Sequence, residues 1–161
     1  MVSESTRRIN RMLLISILYI LLGLASSALG LTIGTMQFKL SDALYILPMY
    51  NPVAIPGIVI GTIVTTTMRG AVPIDIIGNA LVAFISAFFV YQFRKNRWIA
   101  MIFPVVTNMI VVPFSLKFCY HVAGNFFELA LLVGIGEFVC AYVIGQMLID
   151  FISGDVFKKG K

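Results

Sequence analysis

Seven acidic side chains are the groups in this 161-residue chain best suited to hold something polar: Glu4, Asp42, Asp75, Glu128, Glu137, Asp150 and Asp155. An ionised carboxylate is an acceptor only. It takes paired N–H donors or a cation, and does so directionally when both oxygens engage. Glu4, Asp150 and Asp155 lie near the chain ends, where water or basic neighbours solvate them. Asp42, Asp75, Glu128 and Glu137 lie inside or beside long apolar runs. There an ionisable group is costly and marks a pathway or a binding site by default. Asn79 stands four residues after Asp75, on the same face of any helix that holds both. A structural role competes with binding: Asp75 and Glu137 could pair with Arg69 or Lys117, and Asp75, close behind Pro73, could stabilise a helix start. Glu137 is too deep in its apolar run to cap anything.

The same inventory excludes other chemistry. His121 is the only histidine, and with Cys119 and Cys140 it forms no metal-type spacing. No Gly-rich loop followed by Lys is present to cradle a nucleotide, and neither a His-Glu-x-x-His element nor a nucleophile elbow occurs. The expectation is a non-enzyme with no catalytic residue, no metal site and no cofactor.

The composition says what must position these residues. Hydrophobic residues make up 60% of the chain and charged ones only 12%, with a mean hydropathy of +0.99. A soluble domain carries about 25% charged residues. This chain is therefore read as an all-α integral membrane protein, because runs such as Met12 to Leu31 are charge-free and do not alternate as barrel strands would. That run is longer than a signal-peptide core, so Ala25-Ser26-Ser27-Ala28 reads as part of a retained span.

The net charge of +5 gains meaning from its distribution. Arg7, Arg8 and Arg11 precede the first apolar run, Arg94, Lys95 and Arg97 break the middle, and Lys158, Lys159 and Lys161 form the tail. Such clusters mark the cytoplasmic face rather than a nucleic-acid surface. If all three are cytoplasmic, an even number of crossings separates each pair. Span length then allows four crossings before Arg94 and two after it. The prediction is a six-transmembrane-helix bundle in the plasma membrane, one domain over residues 1–161, with both termini cytoplasmic. Its spans are roughly 12–31, 42–50, 53–67, 74–93, 98–117 and 126–152. The second is short, about 14 Å as an α-helix.

In that topology Gln37, Phe38, Lys39, Asp42, Tyr45, Asp75, Asn79 and Glu128 fall in the outer half, and Asn108 and Glu137 near mid-depth. The inner half is almost purely apolar. This describes a cup open to the outside and closed below, suited to capturing a small polar molecule and unsuited to a channel. Gly57, Gly61 and Thr65, like Ala141 and Gly145, are small residues four apart that let helices approach closely.

Several segments are familiar in order. Gln37-Phe38-Lys39-Leu40-Ser41-Asp42-Ala43-Leu44, then Leu47-Pro48, then Ala54-Ile55-Pro56-Gly57 resembles the opening signature of the QueT family. Asp75-Ile76 with Gly78, and Gly136-Glu137 with Tyr142 and Gly145, resemble its later elements. The resemblance implies a substrate-binding S component of an energy-coupling factor (ECF) transporter, capturing a pre-queuosine deazaguanine base. Its partners would be the bilayer and an energising module of a membrane T component and two ATPases. On that implication, Glu137 is the first choice and Asp75 the second to accept the guanine-like N–H edge. Asn79 and Asn108 would supply amide contacts, Phe38 or Tyr45 would stack on the ring, and Asp42 or Glu128 would receive an aminomethyl cation, with Gln37 beside them. Two departures stand out: Asp42 replaces the more usual Glu, and the first helix lacks an Ala-x-x-x-Ala docking pattern. Another vitamin-sized cargo, or a scaffold subunit that binds no ligand, are the alternatives.

Overall fold

The computed structural model describes residues 3–32 and 37–158. Residues Lys159 and Lys161, and the side chains of Asp155 and Lys158, lie outside that description. Helix α1 runs Glu4–Ala28 and begins well before the apolar run, carrying the first arginine cluster on its opening turns. A 3₁₀ helix, α2, covers Leu40–Met49, and α3 covers Ala54–Met68. Helix α4 is Pro73–Gln92 and α5 spans Arg97–Cys119, ending in a π-helical turn at Ser115–Cys119. Helix α6 starts as Phe126–Glu137, passes through a π-helical turn at Phe138–Ile144, and continues as Gly145–Lys158. No strand occurs among the described residues.

Helices α1, α4, α5 and α6 are long and apolar enough to cross a membrane, whereas α2 and α3 are shorter apolar helices. The 3₁₀ form of α2 bears on its length. At roughly 2.0 Å per residue its ten residues cover about 20 Å, more than an α-helix of that length would. It is buried along almost its whole course, from Ser41 to Ile46 and again at Pro48, so its surroundings are protein on nearly every side. By contrast Leu14, Leu21, Ile74, Phe84, Ile110 and Leu131 stand at the surface. That apolar exterior suits a hydrocarbon solvent and would promote aggregation in water.

The most extensive helix–helix contact is between α1 and α3. A Cβ added to Gly57 would come within 3.0 Å of the Met12 carbonyl oxygen, one on Gly61 within 2.8 Å of Tyr19 Cβ, and one on Gly23 within 2.7 Å of a Thr65 methyl. The predicted small-residue stripe on α3 is thus a helix–helix seam. The Ser16 hydroxyl reinforces it by donating to the Gly57 carbonyl at 2.8 Å. The contacts run 57 with 15, 61 with 19 and 65 with 23, so α1 and α3 are parallel. At one end of the bundle Arg97 and Asp150 approach to 2.5 Å, bringing the start of α5 to the end of α6. The opposite end carries the α3–α4 turn, the start of α4 and the segment after α5. Phe89 stacks on Phe103 at 4.9 Å and so belongs to the α4–α5 interface, while Phe84 and Phe88 are surface residues.

Candidate functional site

The end opposite the Arg97–Asp150 contact holds a cavity of about 340 Å³. Concave small-molecule sites start at about 300 Å³. Its polar wall is formed by Gln37, Lys39, Arg69, Asp75, Asn79 and Tyr120. Local sequence explains the acidic part of that wall. Pro73 opens α4, where its missing N–H costs nothing, and leaves Asp75 in the first turn pointing across the bundle end. Asp75 Oδ1 accepts from Asn79 Nδ2 at 2.8 Å, one turn further on. Its Oδ2 accepts from the Tyr120 hydroxyl at 2.9 Å. Among the described residues Asp75 has no ion pair, with neither Arg69 nor Lys117. Partial burial, then the Asp75 hydrogen bond, pushes the Tyr120 hydroxyl above its ordinary range, so it remains a donor at neutral pH. Each carboxylate oxygen accepts two hydrogen bonds. The protein donors above use one on each, leaving a pair of acceptor positions beside the cavity.

The segment before α2 does not stay in an outer loop. Gln37 to Lys39 is non-helical and packs against α6 at Gly136, where any Cβ would collide with the Gln37 carbonyl. Gly136 lies ten residues into α6, about 15 Å along its axis. Lys39 is thereby drawn inward, and its Nζ lies 3.8 Å from Glu137 Oε1, with side-chain exposures of 13% and 2%. The partner of Glu137 is thus Lys39, and neither of the cations named from sequence. Asp42 is a neighbour of Glu137 in this network. Its Oδ1 accepts from the Tyr19 hydroxyl at 2.5 Å and from Ser41 at 3.3 Å. A second, much smaller cavity of about 20 Å³, lined by Tyr19, Lys39, Ser41 and Thr65, lies between this network and the larger one.

The nine residues named from sequence therefore divide. Gln37, Asp75 and Asn79 line the larger cavity. Glu137 and Asp42 lie behind Lys39 in the buried network. Tyr45 is buried in the core, and Asn108, 2% exposed, donates to the Pro104 carbonyl of its own helix at 2.9 Å. Phe38 is half-buried and its N–H bonds the Leu31 carbonyl. Glu128 is exposed and forms a capping box with Asn125 at the start of α6. Lys39, Arg69 and Tyr120 were not among those nine. Lys39 offered a signal, since it is the lone cation between two apolar runs. Tyr120 offered none, because 45 residues separate it from Asp75.

Among the described residues no cluster of His, Cys, Asp and Glu could hold a metal ion. Cys140 is buried and Cys119 half-buried, both free. No curated protein and no solved structure matches the chain. One family does: the profile described as QueT transporter matches residues 9–154, which include every residue of the cavity wall. The match points to a membrane transporter and away from an enzyme. With nearly its whole length matched, the chain belongs to the QueT transporter family.

Proposed function

We propose that the protein is the substrate-capturing S component of an ECF-type importer and takes up a pre-queuosine deazaguanine base. In this reading the chain crosses the membrane six times with both termini cytoplasmic, so the cavity faces outside. The inside then carries the three basic clusters, as clustered positive charge favours. A T component and two ATPases supply the energy, since the sequence offers no nucleotide-binding loop of its own.

The observation that carries the proposal is the Asp75–Asn79–Tyr120 constellation on the wall of the 340 Å³ cavity. A guanine-like edge presents adjacent N–H donors, which the two remaining acceptor positions of Asp75 match. The cationic Lys39 and Arg69 on the same wall suit the ring carbonyl and other acceptors. Arg69, Lys39 and Tyr120 join Asp75, Asn79 and Gln37 as proposed ligand contacts, and Glu137 and Asp42 stand one layer back. The scaffold reading has one observation in its favour, the internal Lys39–Glu137 pair. It leaves the cavity without a role.

Thermal stabilisation of the purified protein in detergent tests the proposal. The panel is cyano- and aminomethyl-deazaguanine, guanine and a set of vitamins. A ligand at a hundred times its dissociation constant stabilises by about 2.7 kcal/mol. Stabilisation by deazaguanines alone supports the cargo, and stabilisation by one vitamin alone replaces it. Silence across the panel supports the scaffold.

A further inference from the structure

Lys39 touches both cavities and at the same time faces Glu137. Among the described residues it alone lines the outer cavity and pairs with a buried carboxylate. Two features of that pairing are unusual. At 3.8 Å, the ammonium and the carboxylate are matched in charge but lie beyond hydrogen-bonding distance. The other carboxylate oxygen, Oε2, is buried without a hydrogen-bond partner, as is Thr65 Oγ1 on the small cavity. A buried carboxylate with an unused oxygen is costly. Asp42, held by Tyr19 and Ser41, brings a second carboxyl group to the same place. One lysine faces two acids, and the geometry leaves acceptor capacity unfilled around its head group.

We infer that the Glu137–Asp42 carboxylates form a primary-ammonium subsite at the floor of the cavity, which Lys39 fills as a tethered stand-in and which an ammonium group of a ligand takes over. Compact, flexible and carrying three donors, a lysine head group has the same chemistry as the group it stands in for. When a cationic ligand enters, Lys39 withdraws toward the cavity wall it already lines, and the ligand's ammonium meets Glu137. For a neutral ligand Lys39 stays in place and closes the floor. The charge of residue 39 therefore sets the preference between cationic and neutral ligands of one shape. This deepens the proposed capture function and rests on it for the ligand, though not for the subsite itself.

Chemical rescue tests the subsite without any ligand. Lys39→Ala opens the space that propylammonium fits, leaving Glu137 without its counter-ion. The expected result is that propylammonium raises the melting temperature of Lys39→Ala by about 3 °C or more, as specific binding to the folded state requires. Propanol, of the same shape and neutral, has no such effect, and neither wild type nor Lys39→Ala/Glu137→Gln responds to propylammonium. No selective rescue overturns the inference. If Lys39→Ala does not survive purification, it is extracted in propylammonium or in propanol: folded protein recovered only in propylammonium supports the subsite, and any other result overturns it. A second arm compares aminomethyl- with cyano-deazaguanine. Lys39→Ala should shift the preference toward the cationic compound by about tenfold or more, and an unchanged ratio overturns the takeover by a ligand. If neither compound binds either protein, the cargo reading fails, and the propylammonium arm alone decides the subsite.

Discussion

Asp75→Asn isolates the acceptor pair on which the proposed capture depends. The substitution preserves side-chain shape and one oxygen, but replaces the other oxygen by an NH₂ group. In the empty protein the change is mild. Asn79 keeps an oxygen to bond, and the Tyr120 hydroxyl, now 2.9 Å from an amide nitrogen, can accept instead of donate. The folded protein should therefore lose about 1 kcal/mol or less, a typical net hydrogen-bond contribution. A ligand with two adjacent N–H donors fares worse, because one donor meets another donor and the negative charge is gone. Hydrogen bonds to charged groups contribute roughly 1.5–3 kcal/mol. At about 1.4 kcal/mol per factor of ten, affinity should fall about 10- to 150-fold. Titration calorimetry in detergent or nanodiscs with the best ligand of the thermal panel measures this, alongside the melting temperature without ligand. An Asp75→Asn protein that binds within threefold of wild type refutes the reasoning. A loss of affinity matched by a large loss of stability refutes it too, since Asp75 would then act on the fold.

Other outcomes follow from the same geometry. Gly136→Ala puts a methyl group into the Gln37 carbonyl, so the 37–39 segment must move; overpacking of this kind costs about 1–3 kcal/mol, and a wild-type melting temperature would contradict the close packing. Gly61→Val pushes on Tyr19, with a cost of similar size expected from thermal unfolding, and should also loosen the Tyr19–Asp42 hydrogen bond. Glu128→Ala removes one half of an exposed capping box; it should cost about 1 kcal/mol or less and leave ligand affinity unchanged, and a tenfold loss in calorimetry would instead place Glu128 in the site. Asp150→Asn breaks a solvent-exposed ion pair with Arg97 and should change stability by at most about 1 kcal/mol, the usual range for such pairs, when unfolding is compared at low and high salt.

The solvent and much of the skeleton were readable from residue types and their local spacing. Apolar runs free of charge demand a membrane and helices, because a buried backbone there must satisfy its own hydrogen bonds. The gaps between the expected spans, at 51–52, 68–73 and 118–125, were legible too, and the observed helices end close to them. The Gly57–Gly61–Thr65 stripe was legible as a seam, though its partner α1 was not. Asp75 with Asn79 was readable as a unit, since a four-residue spacing on a helix is a local relation.

Packing between distant segments set the rest. Sequence placed Lys39 in an outer loop. Gly136, about a hundred residues away, lacks a side chain and so lets that segment pack against α6 and deliver the ammonium to Glu137. Likewise Tyr120 reaches Asp75 only because α4 and α5 are neighbours, and Glu128, acidic and near the bundle mouth, faces its own helix start. The type of a residue fixes what it can bond to. Which donor meets which acceptor is set by packing between distant segments, a relation that no local spacing encodes.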